Sequence, residues 1–462
     1  MRIARVSVRG QATLTYPGIG SLHGSGSLLQ YDDGGIAASV AIPGLNSRLL
    51  PSQNLNPTSF TLACPNGRQL TSSTWMTTNT SLQLRAGSTE QTRVEGRLTD
   101  FTLSANGGPS EARPSKYRLF ITNLQFSGTQ PTTSKYRNRT SIRPSKLPLD
   151  GIGGDIFLEW ARDYEKIVQK LKADRQPRVT AVLTLKALAQ DTAVTIEEFA
   201  EDICTIMSLA SGNHVTWIET RTYDTQGRWL SSIHRASVTR AYVPHPLLDP
   251  HNGTALQNLA SRGLPALRKW DRELGTEMDP RPLRNAIRLA LDARSESTYL
   301  QSRTLAAVTV MELLTSKLMI KRNTTTLVSE LVFDKVKKVV TRGLDEALNY
   351  LPESNTVLQS MKEKLNELNR VTLRKQLRKL IAETGVDVDT QELDAYIKVR
   401  NSIVHTGDYA KQLERTPIQQ HWTVLEFVDR VLLGLLGYQG KYISALRGWR
   451  AVELRSTSPL DA

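Results

Sequence analysis

TQELDAYIKVRNSIVHTG, residues 390–407, decides how the second half of this chain is built. It reads as one helix. Asp389 or Thr390 supplies the start, Glu392 and Asp394 lie near its positive end, and Gly407 supplies the stop. At about 100° per residue, Leu393, Tyr396, Ile397, Ile403 and Val404 share one apolar face, and Arg400 projects from the middle of it. A guanidinium in that position needs a partner, because an unpaired charge in a core costs on the order of several kcal/mol. Glu312, an isolated acid in the apolar run AAVTVMELL, is a candidate. Asn401 and His405, four residues apart, lie about 40° from each other on the flank of the face and can act on one group. Arg400 and His405 stand roughly 140° apart on a straight helix. They converge only through the reach of the arginine, an unwound last turn, or two copies of the helix.

Two readings fit these residues. In the first, Arg400 is a structural cation paired with an acid, Asn401 bonds backbone and His405 caps the helix end. In the second, the helix cleaves RNA without a metal. His405 then exchanges a proton with a ribose 2′-hydroxyl or a leaving oxygen, Arg400 stabilises charge building on the phosphate, and Asn401 positions it. Spacing alone cannot choose, since an arginine shortly before a histidine also occurs in RWLSSIH (228–234), RAYVPH (240–245) and RTPIQQH (415–421).

Working outward, the sequence from 262 to 450 lacks strand patterns and offers successive amphipathic helices, among them PRPLRNAIRLALDARSES, LVSELVFDKVKKVV and IQQHWTVLEFVDRVLLGLL. An all-α helical bundle is expected there. Residues 155–261 mix helix and strand. FLEWARDYEKIVQKLK and TIEEFAEDICTIMSLASG are helical, RVTAVLTLKAL is extended, and HVTWIETRTYD and RWLSSIHRASVTRAYV flank TQG as a hairpin. Residues 1–130 show short alternating runs such as RIARVSV, QATLTY and IAASVAI, broken by turn residues, so a β-rich sandwich or barrel is expected. Residues 131–154 are basic and poor in apolar residues, as in a linker. The fold class expected is therefore multidomain α+β.

Composition bounds the function. The 462 residues carry 59 Lys and Arg against 45 Asp and Glu, a net charge of +14, which favours phosphate-rich partners at long range. Only Cys64 and Cys204 are present, so a disulfide framework or a multi-cysteine zinc site is not expected and a cytoplasmic setting fits best. MRIARVSVRG reads as a strand and not a signal peptide, and VLLGLLG is too short to span a membrane. Aromatics are only 6% of the chain, which argues against extensive base stacking.

Secondary candidates are weaker. RKQLRKL places Arg374, Lys375, Arg378 and Lys379 on adjoining sides of a helix, able to face an RNA backbone or only solvent. RNRTSIRPSK in the linker is a second basic stretch. HPLLDPH, with His245, Asp249 and His251, reads as a turn more readily than a metal site, and the glycines of GIGSLHGSGS (18–27) lack the lysine of a phosphate loop. His421 reads as the beginning of the last long helix.

RNSIVHTG, with LDAYIKVR before it, resembles the arginine, asparagine, three variable residues, histidine motif of HEPN domains in their ApeA-like form. SRTLAAVTVMELL is similar to an early helix of that domain and VLLGLLGYQGKY to its closing helix, so the resemblance covers roughly 265–445. It implies a metal-independent endoribonuclease of the defence or toxin kind, including abortive infection, with Arg400, Asn401 and His405 catalytic; Glu312, as the candidate partner of Arg400, would support them. RNA, with transfer RNA among the substrates, and a homodimer or higher homo-oligomer are the implied partners. No cofactor and no metal are implied. A phage-derived or other trigger would act through the upstream domains, which would sense or restrain. The alternative within the same resemblance is a non-catalytic RNA-binding, sensor or assembly protein.

Overall fold

A computed structural model describes residues 4–31, 34–44, 56–83, 91–105, 114–136, 139–149, 156–186, 195–236, 245–350 and 355–454. The chain forms two compact units. One comprises Met1–Leu264 with Lys441–Ile443, the other Pro265–Gly440 with Ser444–Ala462.

The first unit is a β-rich body. Its strands are β1 (Ala4–Tyr16), β2 (Gly20–Tyr31), β3 (Ile36–Pro43), β4 (Ser59–Ala63), β5 (Gln69–Ser72), β6 (Met76–Gln83), β7 (Gln91–Arg97) and β8 (Asp100–Ser104). They continue as β9 (Lys116–Thr122), β10 (Gln130–Tyr136), β11 (Arg139–Pro148), β12 (Ile156–Trp160), β13 (Val179–Lys186), β14 (Thr216–Tyr223) and β15 (Trp229–Arg235). Helices α1 (Tyr164–Asp174) and α2 (Ile196–Ser211) interrupt them, and α3 (Gly253–Leu274) follows, with the division between units falling inside it.

All these strands join one antiparallel sheet in the order β10-β11-β12-β13-β9-β14-β15-β8-β5-β4-β1-β2-β3-β7-β6. Period-two burial fixes its inner face. In β3 every second residue from Ile36 to Ile42 is buried, and in β7 Thr92, Val94 and Gly96 are. Six ladder steps separate β8 from β7, about 29 Å across a flat sheet, yet only Leu98 and Thr99 connect Arg97 to Asp100, a reach of about 11 Å. The seven strands must therefore curl towards closure, as in a barrel. Trp75 fills the resulting interior, with its ring 5.1 Å from that of Phe60 on β4 and its indole so close to Gly96 on β7 that a Cβ there would lie 2.3 Å from it. Leu14, Leu28, Val40, Leu62 and Phe101 complete this core.

Across the curl, Gln30 on β2 donates to the Ile218 carbonyl at 3.1 Å and its Oε1 meets His234 Nδ1 on β15 at 2.7 Å. His234 is stacked on Phe101 and its Nε2 meets Ser232 Oγ at 2.8 Å. Glu219 on β14 pairs with Arg5 at 2.8 Å and with Arg221. Burial alone would raise the Glu219 carboxyl, but His234, Arg5 and Arg221 together hold it below the usual carboxylate range. Burial pushes the His234 imidazole down to about 4.

Residues 131–154, expected as a linker, contribute β10 and β11, and β12 leads on into β13, so strands of the expected middle region share a sheet with those before residue 130. Residues 137–138 and 150–154 of that stretch lie outside the described residues. β13 is buried at seven consecutive positions, Val179 to Leu185, as a strand covered on both faces must be.

The second unit is helical: α4 (Pro282–Asp292), α5 (Leu300–Lys321), α6 (Glu330–Tyr350), α7 (Asn355–Lys364), α8 (Leu373–Thr384), α9 (Thr390–Thr406) and α10 (Pro417–Leu435). Short strands β16 (Lys441–Ser444) and β17 (Arg450–Glu453) follow. α5 is the central element and packs against α4, α8, α9 and α10 through Met311, Leu314 and Leu318. Two buried ion pairs tie the bundle together, Arg294 with Asp429 at 2.5 Å and Arg284 with Asp271 at 3.0 Å. Asp271 also accepts from the Leu283 amide at 2.8 Å, at the first turn of α4.

Candidate functional site

α9 begins on a capping box. Asp389 accepts from the Glu392 amide at 2.7 Å while Glu392 reaches back to the Asp389 amide at 3.4 Å. It remains α-helical through Thr406, and Gly407, at φ 75°, closes it with its amide on the Ile403 carbonyl. The unwound last turn that could have brought Arg400 and His405 together is therefore absent. The helix presents Leu393, Tyr396, Val399 and Ile403 to the core. Val404, expected inside, is exposed, and Ile397 is only half-buried. The buried stripe is thus rotated by roughly 50° from the expected one, towards Val399, and Arg400 lies at its border instead of its middle.

At that border Arg400 meets α5. Its Nη2 donates to Glu312 Oε1 at 2.5 Å and its Nε to the same oxygen at 2.8 Å. Its Nη1 donates to Asn401 Oδ1 at 3.1 Å. The arginine side chain is 20% accessible and the glutamate 38%, so the pair is in contact with water and is worth about 1 kcal/mol or less to folding. Its effect is geometric: with Nε and Nη2 fixed on Glu312, the guanidinium keeps Nη1 on the side of Asn401. His405 and Asn401 are exposed, and the His405 ring makes no hydrogen bond to any described residue.

One turn before Arg400, Tyr396 is fully buried and stacks on Phe427 of α10 at 4.6 Å. Its hydroxyl has no partner among the described residues, and burial, with the Glu312 carboxylate beside it, pushes its ionisation well above the usual phenol range. Past the helix end the chain is pinned again. Tyr409 bonds Thr304 Oγ1 at 2.8 Å, and His421 Nδ1 meets the same oxygen at 2.9 Å. Thr304 in turn donates to the Leu300 carbonyl at 3.0 Å. With its one proton so placed, the hydroxyl accepts from Tyr409 and from His421 Nδ1–H, leaving His421 Nε2 bare and buried. Burial, reinforced by Arg303 and Arg294, pushes His421 down to about 3. His421 is the fifth residue of α10 and fully buried, so it supports the segment after the motif from inside. Nothing in the local sequence marks Thr304 or Tyr409 for this role.

Of the basic row on α8, Arg374 is paired with Asp394 of α9 at 2.5 Å, Lys375 and Arg378 are exposed, and Lys379 lines a cavity of about 370 Å³ with Arg322 and Glu383. A larger groove of about 770 Å³ runs along α10 from Gln419 to Arg430, with Glu414 and Arg415 before it. Within it Arg430 pairs with Glu392 at 2.8 Å, and Glu426 accepts from Ser444 at 2.8 Å. In HPLLDPH, Asp249 accepts from the His251 amide at 2.9 Å, a local turn. Gly18 and Gly20 sit at the β1–β2 turn with positive φ. Among the described residues no group of three or more histidines, cysteines or carboxylates is placed to hold a metal ion. Cys204 is buried and its thiol is pushed up to about 12, which removes it as a nucleophile. Among the described residues no helix is long and apolar enough to cross a membrane.

Residues 277–455, somewhat less than half of the chain, match the family described as the YopA C-terminal domain. The matched span contains α9 and Glu312. No curated protein and no solved structure is matched.

Proposed function

We propose that this protein is a metal-independent endoribonuclease whose site is built on the carboxyl-terminal half of α9, with Arg400, Asn401 and His405 catalytic, and is completed by the same helix of a second copy. The observation that carries the reading is the division of labour on α9. Arg400 is oriented by Glu312 towards Asn401, while His405 stands exposed a turn and a half further on, its ring making no hydrogen bond to a described residue. The likeness of RNSIVHTG to the HEPN motif and the net charge of +14 support it.

In the reaction, His405 of one copy takes the proton from a ribose 2′-hydroxyl, and that oxygen attacks the adjacent phosphorus. The phosphorus–O5′ bond breaks, and the leaving oxygen receives a proton from the His405 imidazolium of the other copy. Arg400 donates to the non-bridging oxygens as negative charge grows on them, and Asn401 helps fix the phosphate. The products are a 2′,3′-cyclic phosphate and a 5′-hydroxyl. About 140° on a regular helix keeps Arg400 and His405 of one copy apart, which is why the reading needs two. In this reading the cytoplasm is the site of action, defence or toxicity the purpose, and the sheet unit the restraint.

The Arg400–Glu312 pair equally fits a second reading, in which Arg400 is structural and the bundle binds RNA without cutting it. Incubation of the full chain with total RNA and with transfer RNA in chelator separates the two. The first reading expects cyclic-phosphate ends that disappear in Arg400→Ala and His405→Ala variants of unchanged circular dichroism. Cleavage that survives both substitutions, or salt-sensitive RNA binding with no cleavage at all, overturns it.

A further inference from the structure

α6 is a 21-residue helix in which no described side chain is buried, although its sequence is amphipathic. Leu358 of α7 is buried, and among the described residues α6 packs mainly against α7 and the 3-10 turn Leu365–Asn369 that follows it. Phe333, Val340 and Leu344 of α6 are half-buried. A second line of residues is left open. Val332, Val336, Val339, Gly343, Glu346 and Tyr350 follow one another at steps of four, three, four, three and four, the spacing of a coiled-coil seam. Val339 is 73% exposed and Tyr350 83%, and a Cβ added to Gly343 would meet nothing within 4 Å. The seam is about 30 Å long, three heptads of a helix partner.

Charge selects among partners. Lys335, Lys338 and Arg342 border the seam on one flank, all exposed and all without a carboxylate partner among the described residues. Acids occupy the ends of the helix instead: Glu330 and Asp334 before this row, Asp345 and Glu346 after it. A second copy of α6 laid antiparallel on the seam sets its cation row against this one, and laid parallel it sets against it the flank of Phe333, Val340 and Leu344, which carries no carboxylate. The helix as a whole carries four basic and four acidic residues, so it offers little to an anionic lipid surface.

We infer that α6 is a docking surface for a separate amphipathic helix carrying apolar residues at heptad spacing and a row of carboxylates on the flank that faces Lys335, Lys338 and Arg342. The partner supplies the apolar cover that the bundle does not, and the cation row fixes its direction and register. Gly343 lets the partner backbone approach closely near the middle of the seam.

The test uses the full chain and two synthetic 24-residue helical peptides with leucine at the heptad positions, one flanked by glutamates and one by lysines, each carrying a fluorophore for anisotropy. The glutamate peptide is expected to bind at least tenfold more tightly than the lysine peptide. A Lys335→Glu, Lys338→Glu, Arg342→Glu variant should reverse that order, and Val336→Asp should lose both. Each variant is checked by circular dichroism, and Val339→Asp stands in if Val336→Asp disturbs α6. Equal binding of the two peptides, binding of neither, or binding indifferent to these substitutions overturns the inference. So does self-association of the chain, or retention on phosphatidylserine vesicles, that Val336→Asp abolishes while neither peptide binds.

Discussion

Lowering the pH from 7 to 5 should weaken each unit of this chain through one buried histidine. His234 in the sheet and His421 in the bundle are 2% and 0% exposed, and their folded-state pKa values are pushed down to about 4 and about 3 from an ordinary value of about 6.5. The unfolded chain therefore binds protons that the folded chain refuses. Each histidine's contribution is full above its unfolded pKa, is lost by about 1.4 kcal/mol per pH unit as the pH falls below it, and levels off near the folded value. Between pH 7 and pH 5 the loss comes to about 2 kcal/mol per histidine. With a urea slope of about 2 kcal/mol per molar, each transition midpoint should fall by about 1 M. Urea titrations at the two pH values read the helical unit by far-ultraviolet circular dichroism and the sheet unit by the fluorescence of a variant in which Trp270, Trp422 and Trp449 of the helical unit are replaced by phenylalanine. His421→Asn isolates the bundle's share, since its side-chain amide keeps a donor towards Thr304 Oγ1 and does not titrate. The helical transition of that variant should lose most of its dependence on pH over this range while the sheet transition keeps its own. An equal fall in the variant's helical midpoint would refute the assignment of His421 as a buried neutral imidazole.

Tyr396→Phe should leave the bundle as stable as before or raise its stability by up to about 1 kcal/mol, because the hydroxyl it removes is buried without a partner among the described residues. A thermal melt reads this, and a loss greater than about 1 kcal/mol would mean that the hydroxyl is bonded after all. Gly96→Ala should cost the sheet unit on the order of 1–3 kcal/mol, since the added methyl falls 2.3 Å from the Trp75 indole and both lie in a filled core. Tryptophan emission should shift with it, and an unchanged urea midpoint would show that Trp75 can move aside.

The helix that carries the candidate site was legible because its ends are written locally: Asp389 and Glu392 cap it and Gly407 stops it within the same eighteen or so residues. Glu312 as partner of Arg400 was legible for a related reason, as a lone acid in an apolar helix facing a lone cation in another. Which residues of α9 point inward was less so. Val399 and Val404 are chemically alike, and the choice between them is made by the positions of α5 and α10, which no periodicity within α9 encodes. β10 and β11 were hidden differently. QPTTSKY and RTSIRPSKLP contain β-branched residues but lack the apolar alternation of a half-buried strand, so charge and proline dominated the reading. The joining of early and late strands in one sheet depends on pairings such as β8 with β15, more than a hundred residues apart, and leaves no local trace. The network of Thr304, Tyr409 and His421 is likewise assembled from three separate elements.

The polar links across the curl of the sheet also set a timetable for making the protein. Arg5 waits for Glu219, 214 residues later, and Gln30 waits for His234, 204 residues later. At the usual pace of about 5–20 residues per second, a ribosome needs roughly 10–40 s to deliver the second member of each pair after the first. During that interval the opening strands emerge with a buried-type glutamine and an inner apolar face that nothing yet covers. Nascent chains halted before residue 219 should therefore be captured by chaperones or aggregate.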